Sequence, residues 1–299
     1  MKTVSRNIAV AIMTAVMMFS IIGCATQPYR PGAKIDYIVG YEMPPEQEQF
    51  VYGRPHGFLD ASGWIWPGSL LSKLVLWNYK VDSHHVSPKT VSVLKQYLSY
   101  NELDNVKVRI NAYSVADEWH RTFRNKAVGA GWRYILGFWS WLQYTIFPGR
   151  FFGGDNYNPY SNTINIYSDI PAILLHEGGH AKDFAQRTYK GTYAFAYMLP
   201  FFALYPEALA TRDALGYLRA YAPLYYQKQG YNILYPAYGT YVGGSIGEWL
   251  TMPWNYVAYA GGVIPGHIIG RIRSATLPEP TSSRADWLND DKIYAPVPR

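Results

Sequence analysis

A single cysteine, Cys24, among 299 residues leaves no intramolecular disulfide, so a hydrophobic core must hold the fold. Charged side chains are sparse too, at 16% against 49% hydrophobic, which excludes a chain that stays disordered. No internal repeat is evident. What the chain does have is aromatic residues: 17% of the total, with 28 Tyr and 10 Trp. Such rings bury large areas while keeping a polar tip, and are expected at half-wet surfaces and clefts. The length suits one domain, or at most two. Lys and Arg number 27 against 21 Asp and Glu, a formal net charge of +6. The excess is scattered; Arg121, Arg124, Lys126 and Arg133 form a modest cluster. That cluster reads either as a solvated helix face or as a phosphate or lipid-headgroup patch. No nucleic-acid partner is expected.

The N-terminus carries Lys2 and Arg6 ahead of an apolar run from Ile8 to Ile22, broken by Thr14 and Ser20. A basic start and a hydrophobic stretch too short for a comfortable span have the form of a secretory signal, here residues 1–23. The run closes on Ile21-Ile22-Gly23-Cys24, which resembles the lipobox of bacterial lipoproteins. The resemblance implies cleavage before Cys24 and acylation of that residue. Ala25, rather than Asp, follows the Cys; by the same resemblance this points to the outer membrane, periplasmic side, with an inner or plasma membrane as the other choice. Lipid would consume the sole thiol, leaving His, Asp and Glu as candidate metal ligands.

Residues 24–60, rich in Pro, Gly and Gln (Pro28, Pro31, Pro44, Pro45), read as a tether draped over the domain. Residues 61–273 form the domain, and the polar, Pro-rich residues 274–299 a surface strap. Pro88 to Tyr100 reads as a helix, capped by Ser87, with Val91, Leu94 and Leu98 on one face. Asn105 to Tyr113 alternates Val106, Val108 and Ile110 with Lys107, Arg109 and Asn111, the pattern of a half-buried strand. Val115 to Lys126 reads as a helix. Trp132 to Phe147 is nearly all apolar and is expected as a buried core helix, the alternative being a helix lying on a membrane. Thr163 to Tyr167 is a short strand. From Tyr235 to Ile269, glycines alternate with aromatic and aliphatic residues, which suggests close backbone packing or a membrane-facing surface.

The chemistry concentrates at Ile170–Gln186, where His176, Glu177 and His180 form His-Glu-x-x-His. Pro171 suits the first turn of a helix there, and Asp169 is placed to serve its N-terminus. Residues four apart stand one turn above each other, so both imidazoles project from one face and can grip one ion. Glu177, about 100° around the helix from His176, sits beside that ion as a candidate proton acceptor. Gly178 and Gly179 each cost about 1 kcal/mol against Ala in a helix. A pair inside the motif therefore suggests that a neighbouring helix, or the strand at Thr163–Tyr167, approaches closely.

With Glu207 downstream, opening a second helix behind Pro206, the pattern resembles the gluzincin metallopeptidases. The resemblance implies a helix-rich α+β, zincin-like domain with a small sheet beside the motif helix. It also implies Zn2+ bound by His176, His180 and Glu207, with Glu177 as catalytic base, and Glu248, His267 and Asp213 as reserve ligands. Thermolysin-type members carry an Asp four residues after the ligand Glu to orient a histidine; that position is Thr211. Asp183, on the His176 face, is expected to supply the orienting contact, with Asp213 as another candidate. In zincins the strand ahead of the active helix commonly pairs with substrate, which makes Asn158–Tyr167 either such an edge or a plain internal strand. The expected activity is zinc-dependent hydrolysis of a peptide or amide bond in the cell envelope. The competing reading is a non-catalytic, aromatic-rich envelope lipoprotein that binds a polymer or protein partner, with zinc structural or absent.

Overall fold

A computed structural model describes residues 29–32, 48–199 and 201–278. The signal segment, Cys24, most of the tether and the tail from residue 279 lie outside the described residues. Four short strands form one sheet: β1 (Phe50–Tyr52), β2 (Lys107–Ile110), β3 (Asn156–Asn158) and β4 (Thr163–Ile166). Their order is β1-β2-β4-β3, with β1, β2 and β4 parallel and β3 antiparallel to β4. Around the sheet lie α1 (Gly57–Ile65), α2 (Pro67–Leu76), α3 (Pro88–Tyr100), α4 (Val115–Arg124), α5 (Phe138–Ile146), α6 (Pro171–Ala185), α7 (Lys190–Tyr197), α8 (Leu204–Tyr221), α9 (Leu224–Gly247) and α10 (Trp254–Ala275). The fold is thus a helix-rich α+β domain with a small sheet beside the motif helix.

Local chemistry accounts for the starts of several helices. Ser87 caps α3, its hydroxyl accepting from the Thr90 amide at 3.3 Å, and Pro88 fills the first turn. Asp169 serves this same end, accepting from the Ser87 and Thr90 hydroxyls at 2.7 and 2.6 Å and from Lys80 Nζ at 2.9 Å. Asp169 was expected to serve α6, yet it faces α3, and α6 begins at Ile170 with no side-chain cap. Phe50–Tyr52 lies inside the stretch read as tether and pairs with β2 as the edge of the sheet.

β2 departs from the half-buried pattern: all four of its residues are buried. The polar side is covered by α4, where Asp117 and Glu118 both pair with the Arg109 guanidinium. A strand whose charges are met by a neighbouring helix can hide both faces. Trp132–Phe147 departs in the opposite sense. It forms a short turn at Ala130–Trp132, a π-helical turn at Arg133–Gly137 and then α5, and of these residues only Gly137 is buried. Tyr134, Ile135, Phe138, Trp139, Ile146 and Phe147 face solvent, while Trp132 and Leu136 are half-buried against Val128, Tyr160, Phe184 and Ala194. α9 and α10 do pack backbone to backbone, since a Cβ at Gly266 would sit 2.7 Å from Pro236 Cα and one at Gly262 would meet the Gly239 carbonyl. No helix among the described residues is long and apolar enough to cross a membrane.

α6 is the hub of the core. It touches α3, α8, α9, β3 and β4, and every residue from Pro171 to Phe184 is buried.

Candidate metal centre

The glycine pair explains how α6 reaches its neighbours. A Cβ at Gly178 would lie 2.7 Å from the Tyr97 ring on α3, and one at Gly179 would lie 2.9 Å from Ala210 Cα on α8. The close approach comes from two helices and not from β4. Gly179 thus lets α8 come near enough for its first turn to deliver Glu207 to the motif face.

There, His176 Nε2 lies 3.0 Å from Glu207 Oε2 and 3.1 Å from His180 Nε2, and His180 Nε2 lies 3.4 Å from Glu207 Oε1. One ligand atom from each residue falls within 4.8 Å of the others. The three residues are buried, Glu207 completely. Two imidazole nitrogens turned on one carboxylate in a buried pocket are a donor set suited to a divalent cation. Tetrahedral zinc with bonds of about 2.0–2.1 Å spaces its ligands at about 3.3 Å, close to the separations here. Burial pushes the Glu207 carboxyl up, but the adjacent His180 and His176 outweigh it and hold it well below the usual carboxylate range. It is therefore ionised and ready to ligate.

Glu177 projects beside the triad. Burial raises its carboxyl to about 8; His176 counters, the Glu207 and Asp155 carboxylates add to the rise, and the Tyr157 backbone amide opposes it by donating a hydrogen bond. That amide belongs to β3. β4, expected as a possible substrate-pairing edge, is interior between β2 and β3. The edge strand on this side of the sheet is β3, and its Tyr157 amide is turned to Glu177.

The orienting contacts differ from expectation. Thr211 Oγ1 lies 3.4 Å from His176 Nδ1, so the hydroxyl takes the place foreseen for a carboxylate. Asp183 accepts instead from the Tyr193 hydroxyl at 2.6 Å and from Arg187. Asp213 accepts from Tyr97 at 2.5 Å and from Lys182 Nζ at 2.6 Å. Both carboxylates are satisfied by nearby cations and phenols, which clamp the helices rather than turn the imidazoles. Glu248 closes α9 at the exposed end of that helix. His267 meets the Val75 carbonyl at 2.7 Å and stacks on Trp77, so neither reserve residue joins the triad.

Sequence reasoning missed three residues here. The Tyr197 hydroxyl donates to Glu207 Oε1, Tyr241 also hydrogen-bonds Glu207, and Asp155 lies close enough to act on Glu177. Among 28 tyrosines nothing local marks these two. Tyr241, Glu177 and Asp155 line two adjoining cavities, of about 210 and 150 Å3. The larger is walled by Val75, Leu76, Val81, Ile173 and Leu234, the smaller by Phe184, Ala194 and Tyr197. The site stands at their junction.

A His-Glu-x-x-His helix completed by a carboxylate from a second helix is a zincin-type metal centre, and it supports zinc-metallopeptidase activity. No protein-family profile, curated protein or solved structure matches this chain.

Proposed function

We propose that this protein is a zinc-dependent peptidase of the bacterial cell envelope, tethered to the membrane through acylated Cys24, with the outer membrane as its station. The observation that carries the hydrolytic reading is the triad of His176, His180 and Glu207, with ligand atoms within 4.8 Å of one another and the Glu177 carboxyl beside them. A zinc ion held there supplies Lewis acidity, lowering the pKa of water at the site to about 7 and polarising a carbonyl.

The chain's own groups do the rest. Glu177 would be returned to its carboxylate form by the charge of a dication held beside it, and in that form it accepts the proton of the attacking water and passes it to the departing amine. Tyr241 lines both cavities with its hydroxyl turned to Glu207, and with Glu207 engaged as a metal ligand that hydroxyl would be free to donate to the oxyanion. The two cavities seat the substrate on either side of the reacting bond. Thr211 keeps His176 turned toward the triad.

The test is zinc content and peptide hydrolysis of the purified protein. Wild type should hold about one zinc per chain and His176→Ala should lose it. Glu177→Gln should keep zinc and lose about 10²–10⁴-fold in kcat. Undiminished hydrolysis in Glu177→Gln would overturn the reading. The anchor is checked separately by fatty-acid labelling, which Cys24→Ala should abolish.

A further inference from the structure

The segment expected as core turns a row of apolar side chains outward. Tyr134, Ile135, Phe138, Trp139, Ile146 and Phe147 are all exposed, Ile135 at 69% and Trp139 at 51%. Inward it offers Gly137, where a Cβ would lie 3.0 Å from the Thr122 methyl group. A contiguous apolar surface of this kind marks a contact site.

The charges around it narrow the partner. From Trp119 to Gly154 the chain has no Asp or Glu. Arg124 and Lys126 are exposed, and among the described residues no carboxylate pairs with Arg124, Lys126 or Arg133. The acids just upstream, Asp117 and Glu118, are held by Arg109. A second copy docked face to face would bring unpaired cations against unpaired cations. The chain's own apolar run, Ile8–Ile22, could cover the rings but would leave the cations unmet. Anionic lipid satisfies both: aromatic rings settle at the boundary between headgroups and acyl chains, and Lys and Arg meet the phosphates.

We propose that the α4–α5 face lies on the surface of an anionic phospholipid bilayer. α7 links this face to the metal centre, since Trp132 stacks on Phe195 of α7 with ring centroids 5.1 Å apart, and Tyr197, on the other side of that helix, bonds Glu207. Docking by this face sets the cleft beside the membrane. If the peptidase reading holds, on which this corollary rests, the substrates are polypeptide segments close to a bilayer surface.

The test uses the full chain with Cys24→Ser, so that one introduced cysteine carries a nitroxide at Ile135→Cys, Trp139→Cys or, as control, Ala220→Cys. Ala220 is exposed and thirteen residues beyond Glu207 along α8, about 20 Å away. Circular dichroism of each labelled chain reports its fold. On vesicles containing phosphatidylglycerol, labels at 135 and 139 should become more accessible to oxygen than to an aqueous nickel chelate, and the label at 220 should not. The immersion should be lost on pure phosphatidylcholine and in the Arg124→Glu/Lys126→Glu variant. Labels at 135 and 139 that stay open to nickel on anionic vesicles would overturn the proposal. So would labels shielded from both reagents without vesicles, which would mean a second copy or the apolar leader covers the face. Equal immersion on phosphatidylcholine would refute the anionic partner. No readout depends on hydrolysis, so docking and peptidase activity can fail independently.

Discussion

Thr211 holds its hydroxyl 3.4 Å from His176 Nδ1, one helical turn beyond Glu207. A single stretch of α8 therefore supplies one ligand and orients another. Groups that orient a metal-binding histidine commonly carry about 10–100-fold in affinity. Thr211→Val should keep the fold and weaken zinc binding about 10-fold, read by competition with a chromogenic chelator, while Thr211→Ser should restore it. Equal affinity in all three proteins would show that the contact is incidental.

Gly179→Ala sets two effects against each other. Alanine gains about 1 kcal/mol of helix propensity, but its Cβ would lie 2.9 and 3.0 Å from the Ala210 backbone, which cannot swing aside as a side chain could. Overpacking of this kind costs about 1–3 kcal/mol. The variant should melt earlier than wild type and bind zinc more weakly, because α8 carries Glu207. A higher melting temperature would mean that the helices are free to part.

Asp155 gives a pH signature. Burial, then the Asp82 carboxylate, raise it from 3.8 to about 6, against hydrogen bonds from Ser168 and Tyr167. Because its pKa is higher in the folded chain than in the unfolded one, the fold binds the extra proton between those values. Stability contributed by this group is present below about pH 4 and lost as the pH climbs through 6. Asp155→Asn removes the titration, so its denaturation midpoint relative to wild type should improve between pH 4 and pH 7. A constant difference across that range would show that Asp155 titrates normally.

Tyr241 makes a separate kinetic prediction. Tyr241→Phe removes a hydroxyl at the junction of the two cavities and keeps all three ligand residues, with Tyr197 still bonded to Glu207. Loss of one oxyanion donor lowers kcat by about 10²–10³-fold, with KM little changed and zinc content intact. A change confined to KM would assign the hydroxyl to substrate binding.

Much of the metal centre can be read along the chain because its geometry is local. His176 and His180 share a face through helical pitch, Ser87 and Pro88 announce α3, and the costly pair Gly178-Gly179 signals a close neighbour. Such signals travel only a turn or two. They say nothing about which surface meets the far side of an element, so the outward face of Trp132–Phe147 and the full burial of Arg109 could not be foreseen. Tyr197 and Tyr241 escaped notice for the same reason: what distinguishes them is proximity to Glu207, across separations of 10 and 34 residues.

The linear chain was enough to define the pair of imidazoles and the base beside them, since periodicity acts over a few residues, while Glu207 entered as the candidate third ligand through the resemblance to gluzincins. Folding alone assigned Thr211 rather than Asp183 or Asp213 to His176, put β3 rather than β4 at the sheet edge, and set Tyr241 between the cavities. Those outcomes depend on how helices cross and which side chains satisfy one another in a crowded interior, and both are properties of the whole packed core.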